Sequence, residues 1–98
     1  MEYSFYDPNH GGCLRTIRKV GANIYLIVGA YGSDEGRVGY WSAFAKKIKP
    51  KILDGKKYNL EVDFTHKEKI KHSKIYLANW RERKIFWQDG NIWQQLYA

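Results

Sequence analysis

Residues 58–64 read YNLEVDF, and this heptapeptide has the clearest hydrophobic pattern in the chain. Apolar side chains alternate strictly with polar ones, which is the period of two expected for a β-strand with one buried face and one wet face. We therefore predict a strand here. Its apolar positions are Tyr58, Leu60, Val62 and Phe64, and its polar positions are Asn59, Glu61 and Asp63.

The segment upstream predicts a β-hairpin over residues 13–31. NIYLIVGAY, residues 23–31, is rich in Ile, Val, Leu and Tyr and has the composition of a strand covered on both faces. CLRTIRKV precedes it, and the two are joined by a short connection containing glycine and asparagine.

Residues 40–48, YWSAFAKKI, fit either one helical face or one strand face. We favour a strand because the neighbouring segments are strands, and we expect Pro50 to end it. Asp54-Gly55 predicts a turn before the next strand. GSDEGRVG and THKEKIKHSK, residues 32–39 and 65–74, are poor in apolar side chains and are interpreted as exposed loops.

The last hairpin is predicted from IFWQDGNIWQQL, residues 85–96, because Asp-Gly favours a type I′ turn. A two-residue loop would pair Phe86 with Trp93 on a face that is aromatic with polar edges and place Ile85 and Trp87 on the core face. The rings of Phe86 and Trp93 then either pack under another element or form a surface for stacking. A three-residue loop with a bulge at Gly90 would shift this pairing.

Together with a strand in KIYLANW, these segments predict an all-β protein of about seven antiparallel strands, either barrel-like or a small sandwich. A chain of 98 residues fits one domain, spanning residues 1–98. Cys13 is the only cysteine, which excludes an internal disulfide, and no apolar stretch is long enough to cross a bilayer. We expect a soluble, intracellular protein with no membrane association.

The charge is concentrated in one region. The chain carries a net charge of +7, and residues 46–74 hold ten lysines against four acids. Lysines in loops can reach phosphates without desolvating the core, and they act as point charges that contact the backbone of a nucleic acid with little base specificity. A solvated charged face is the alternative interpretation of such a run.

Aromatic side chains beside cations favour stacking on the bases of single strands. The leading hypothesis is therefore a non-enzymatic module that binds nucleic acid, with no cofactor and no metal. Bidentate contacts could be added by four arginines if the hairpin strands bring them near one another: Arg15, Arg18, Arg81 and Arg83. The candidate site residues are Lys46, Lys47, Lys49, Lys67, Lys69, Lys71, Lys74, Trp80, Arg81, Arg83, Phe86 and Trp93.

Candidate catalytic or metal-binding residues are few. His10 and Cys13 lie in one turn-rich segment, but a structural zinc site needs four ligands with paired spacing. A catalytic thiol needs a base and an orienting group that converge on it. Two other functions stay open: binding of a small ligand or sugar in an aromatic-lined pocket, and a protein-interaction or homodimer domain with an exposed edge strand or aromatic patch.

DPNHGGCLRTI, LEVDFTHK and IFWQDGNIWQQL together resemble a family of small, stand-alone all-β domains that is uncharacterised. The DPNHGG, VDF and DGN-x-W elements carry the resemblance, which extends over most of the chain. His66-Lys67-Glu68-Lys69 stands where that family has a more glycine-rich continuation. The resemblance implies an independent all-β module in which DPNHGG and DGN are structural turns, and it implies no activity.

Overall fold

The computed structural model describes residues 2–9, 14–30, 39–64 and 75–96. Each strand is hydrogen-bonded antiparallel to the next in the chain, and the first pairs with the last, so that the sheet closes into a barrel. The eight strands are β1 (Glu2–Tyr6), β2 (Leu14–Lys19), β3 (Ile24–Ala30), β4 (Tyr40–Leu53), β5 (Lys56–Asp63), β6 (Ile75–Arg81), β7 (Lys84–Trp87) and β8 (Ile92–Gln95).

The predicted all-β, barrel-like fold is confirmed, with one strand more than the seven identified in the sequence. The additional strand is β1, where Phe5 is fully buried and Tyr3 packs against the core between more polar neighbours. Strands at residues 40–48 and 58–64 are confirmed, as is the hairpin of β2 and β3.

The connections alternate between the two ends of the barrel because every strand is antiparallel to its neighbours. We call one end the turn rim; it carries the short connections 20–23, 54–55 and 82–83. The other end, the loop rim, carries the connections that follow β1, β3, β5 and β7. His10 and Cys13, and the predicted loops at 32–38 and 65–74, lie outside the described residues.

The barrel interior is filled by aromatic and small side chains that alternate with exposed ones along each strand. Small side chains on β4 leave room for the large rings of the other strands. Trp87 packs against Trp93 with ring centroids 4.7 Å apart, and Phe64 lies 5.4 Å from Trp87. The core residues are Phe5, Ile17, Tyr25, Ile27, Trp41, Ala43, Ala45, Leu60, Val62, Phe64, Ala78, Ile85, Trp87 and Trp93.

The predicted pairing of Phe86 with Trp93 was wrong. The backbone N–H of Trp87 donates to the carbonyl of Asn91 at 2.8 Å, so the β7–β8 loop has three residues, and Gly90 adopts φ 96°. Ile85 then pairs with Trp93, and Phe86 pairs with Ile92. This shift of one residue turns Trp93 into the core, where it is 4% exposed, and leaves Phe86 on the outer face.

The expectation that Pro50 ends the strand was also wrong, because β4 continues through Pro50 to Leu53. The register between β4 and β5 shifts here: residues 48–50 of β4 face only Asn59 of β5. Proline has no N–H to donate, and such an irregularity is one of the few places where a strand tolerates it. The strand therefore passes Pro50 by bulging.

A buried ion pair closes the interior near the loop rim. The Arg15 guanidinium donates to the Asp7 carboxylate over 3.1 Å, and the two side chains are 1% and 3% exposed. Arg15 also donates to the carbonyl of Ala30 at 3.0 Å, and its Cζ lies 5.0 Å from the centroid of the Trp41 ring. The amide of Asn91 donates to Asp7 at 3.0 Å, which ties the β7–β8 loop to β1.

Gly29 provides the space for this arrangement. A Cβ atom at residue 29 would overlap the Trp41 ring and would lie 2.8 Å from Cδ of Arg15. We expect Gly29→Ala to destabilise the fold by about 1–3 kcal/mol, as overpacking of a close-packed interior does. Gly21→Ala is the matched control, because its nearest side-chain atom is 3.5 Å away, and it should change the free energy of unfolding by less than about 0.5 kcal/mol. Urea unfolding followed by tryptophan fluorescence measures both; equal effects would contradict the steric role of Gly29.

Candidate functional site

The β4–β5 hairpin extends beyond the barrel wall at the turn rim. Pairing between β3 and β4 stops at Ile24 and Lys46, and pairing between β5 and β6 starts only at Leu60 and Ala78. The hairpin closes through Asp54 and Gly55, whose φ angles of 52° and 76° confirm the predicted turn. Residues 46–58, which we call the basic hairpin, therefore begin in the barrel wall at Lys46 and continue as a projecting two-stranded ribbon.

The basic hairpin carries six lysines and a single acid, Asp54. All six lysines are exposed, so their ammonium groups stay hydrated until a partner approaches. A two-stranded ribbon of this kind is narrow enough to enter a nucleic-acid groove or to lie along a strand. The lysines are Lys46, Lys47, Lys49, Lys51, Lys56 and Lys57.

β5 separates from β6 at Asn59, where the asparagine side chain takes the place of backbone hydrogen bonds between the two strands. Asn59 accepts from the backbone N–H of Trp80 at 2.8 Å and donates to the Trp80 carbonyl at 3.0 Å. Between the hairpin and the outer face of β6–β8 lies a groove of about 650 Å³. The groove is lined by cations on both of its sides, by three aromatic residues and by three asparagines: Lys56, Lys57 and Arg81, with Tyr58, Phe86 and Trp87, and Asn59, Asn79 and Asn91.

Arg81 and Phe86 form a stacked pair in the groove. The Arg81 Cζ lies 4.7 Å from the centroid of the Phe86 ring, and the Arg81 side chain is 53% exposed. Its only ion pair among the described residues is a loose one with the exposed Glu82, at 3.6 Å. Phe86 is half-buried with the guanidinium over its ring, and about half of the Arg81 side chain remains exposed to solvent.

A second, smaller cavity of about 270 Å³ opens at the turn rim. Trp80 lies within it, in edge contact with Tyr3 and Tyr25 at centroid distances of 5.0 and 5.4 Å. Lys47 and Arg81 also line the cavity. The half-buried Trp80 thus lies beside the basic hairpin, and its ring contributes to the barrel interior and to the rim.

The structure describes one of the two predicted groups of lysines. Lys46, Lys47 and Lys49 belong to the basic hairpin at the turn rim. Lys67, Lys69, Lys71 and Lys74 lie outside the described residues, in the segment of sequence between β5 and β6.

The remaining predicted residues divide between the surface and the core. Arg81 and Phe86 lie in the groove, and exposed Arg83 lies next to Arg81 in the β6–β7 turn, with a left-handed φ of 67°. Trp93 is sealed in the core between Trp87 and the Arg15 guanidinium, so its ring has no face for a base. Arg15 is buried as well and cannot add the surface contact expected of it.

Four residues of the groove are missing from the candidate site predicted from the sequence: Lys56, Lys57, Asn59 and Asn79. The two lysines could have been predicted, because Asp54-Gly55 predicts a turn between two lysine-rich segments and a hairpin would place those segments side by side. No pattern in the sequence indicates the two asparagines. The position of the asparagines depends on the point at which β5 separates from β6. The register shift between β4 and β5 at Pro50 lies at the same point, opposite Asn59.

The described residues contain no group of three or more His, Cys, Asp or Glu side chains able to hold a metal ion. They also contain no helix with the length and hydrophobicity required to cross a membrane. Sheet closure pairs β1 with β8, so neither strand presents a free edge along the pairs Phe5–Gln95 and Tyr6–Gln94. An edge strand for a homodimer is thus not found at this seam.

Comparisons of the chain with protein-family models, with curated proteins and with solved structures found no match. The resemblance to small all-β domains through the DPNHGG, VDF and DGN-x-W elements therefore assigns no family. Function has to be argued from the site alone.

Proposed function

We propose that this protein is a non-enzymatic module that binds nucleic acid through the basic hairpin and the adjoining groove. One observation carries the proposal: six exposed lysines stand on the basic hairpin, which contains one acid. Each lysine that neutralises a phosphate releases condensed counterions, and this release drives binding without regard to base sequence.

The surroundings of the hairpin support the same function. Arg81 extends the positive charge across the groove, and Phe86 holds an aromatic surface beside it. Cations that contact the backbone and a flat surface that contacts bases are the two components of single-strand binding sites. Of the predicted stacking residues, Trp80 is half-buried beside the hairpin, Phe86 lies under the Arg81 guanidinium, and Trp93 is excluded from stacking because it is buried.

The test is a titration of fluorescent single-stranded oligonucleotides at several salt concentrations. If all six lysines contact phosphates, log K should fall against log salt with a slope of roughly −4, and affinity should fall by roughly two to three orders of magnitude between 50 and 200 mM salt. Fluorescence anisotropy measures this directly. Affinity that is absent, or that does not depend on salt, would exclude binding through the hairpin.

The cavity at the turn rim favours a second candidate function, binding of a small ligand or sugar. The rings of Tyr3, Tyr25 and Trp80 line it together with charged and polar side chains, and small barrels bind single ligands at their mouths. This function predicts quenching of Trp80 fluorescence by one chemical class of ligand at any ionic strength. A panel of nucleosides and sugars measured beside the oligonucleotides separates the two functions.

A further inference from the structure

We infer that the stacked pair of Arg81 and Phe86 is a platform for one base of a single strand, so that the groove selects single-stranded over duplex nucleic acid. This inference rests on the proposed function and adds the class of nucleic acid. It depends on three features of the groove: the geometry of the pair, the position of the lysines and the presence of a free amide.

The pair presents a flat, cationic surface. The guanidinium lies over the Phe86 ring at 4.7 Å, and with its side chain 53% exposed it can receive a second planar group on its other face. Unpaired bases stack on guanidinium planes as well as on aromatic rings. Because the guanidinium already rests on Phe86, the Arg81 side chain loses less conformational entropy when a base stacks on it.

The lysines stand where the backbone of such a strand would run. Lys56 and Lys57 line the hairpin side of the groove that contains Arg81. A base on Arg81 would thus have its phosphates directed toward ammonium groups. Asn79, which pairs with Phe86 across β6 and β7, adds a donor and an acceptor at the floor of the groove for the edge of the stacked base.

Charge and size together favour a single strand. In a duplex the faces of the bases are covered by their neighbours, so the platform would gain no contact beyond the phosphates. The groove volume of about 650 Å³ falls in the range of clefts that enclose one small molecule, which suits a short piece of one strand. Duplex binding would be left to the lysines alone.

The test compares affinities for one oligonucleotide, single-stranded and annealed to its complement, at constant salt. Arg81→Lys keeps the positive charge and removes the planar guanidinium group. We expect this variant to bind the single strand about five- to 150-fold more weakly, with an unchanged salt slope and an unchanged affinity for the duplex. Phe86→Leu should have the same selective effect because it removes the support of the guanidinium.

Phe44→Leu is the matched control, since Phe44 is 57% exposed on the outer face of β4 and does not line the groove. It should leave both affinities unchanged. If Arg81→Lys weakens neither ligand, or weakens both equally, the platform is refuted while salt-dependent binding by the lysines still stands. If the wild-type protein binds no oligonucleotide, the proposed function fails first and the platform fails with it.

Discussion

Asp7→Ala is expected to destabilise the protein by about 3–5 kcal/mol, enough to lower Tm by roughly 15 to 30 °C. The substitution leaves the Arg15 guanidinium buried without its counterion, between the rings of Trp41 and Trp93. It also removes the acceptor of the Asn91 amide, which fixes the β7–β8 loop. Since the free energy of unfolding of a folded domain is only about 5–15 kcal/mol, the substitution would remove a large part of the total stability.

Two comparisons isolate the charge effect, both measured by urea unfolding. The double variant Asp7→Leu with Arg15→Met removes both charges and should be more stable than Asp7→Ala, because no uncompensated ion remains in the core. Glu82→Ala removes the partner of Arg81 in an exposed pair and should cost no more than about 0.5 kcal/mol. A loss below about 1 kcal/mol for Asp7→Ala would show that Arg15 reaches water when its partner is removed.

Removal of four hairpin lysines is expected to have the largest effect on oligonucleotide binding. Replacing Lys49, Lys51, Lys56 and Lys57 with alanine should reduce the magnitude of the slope of log K against log salt by roughly three, since each lost phosphate contact removes about 0.7 for a single strand. All four side chains are exposed, so the fold should survive. Circular dichroism checks this, and anisotropy titrations give the slope.

The chain itself offers a control with the same change in charge. Lys67, Lys69, Lys71 and Lys74 belong to the segment of sequence between β5 and β6, and their replacement with alanine also removes four positive charges. This variant should keep most of the salt slope if the basic hairpin makes the contacts. A larger effect from this second set would assign the phosphate contacts to the segment between β5 and β6 and contradict the proposed site.

The alternation of apolar and polar residues made most of the barrel predictable. YNLEVDF and the hairpin at 14–30 form as their patterns indicate, because period two and short turns act locally. β3 differs in one respect. Its apolar run suggested cover on both faces, yet Leu26 and Val28 are only half-buried and Ile24 is exposed, since the barrel has no outer layer over them among the described residues.

Features that change when the pairing of two strands shifts by one residue could not be predicted as well as the strands themselves. The three-residue loop at Gln88–Gly90 exchanged the expected exposures of Trp93 and Ile92, and nothing in the Asp-Gly pair distinguishes it from a two-residue turn. The burial of Arg15 could not be predicted from the sequence either. Its partner Asp7 follows a different strand, and an arginine with no visible partner in the sequence is expected at the surface.

The lysines of the projecting ribbon have a further consequence for how the protein behaves in concentrated solution. Beyond Lys47, the outer edge of β4 pairs with no other strand in the part of the chain that the structure describes, and Ile52 and Leu53 are exposed there. Open backbone groups beside apolar side chains invite another copy to add a strand, and like charges along such an edge oppose this. The same ammonium groups that would attract a polyanion thus keep molecules of the free protein apart by charge repulsion. A bound polyanion would neutralise these charges and remove the repulsion. We therefore expect the complexes to self-associate at concentrations at which the free protein does not.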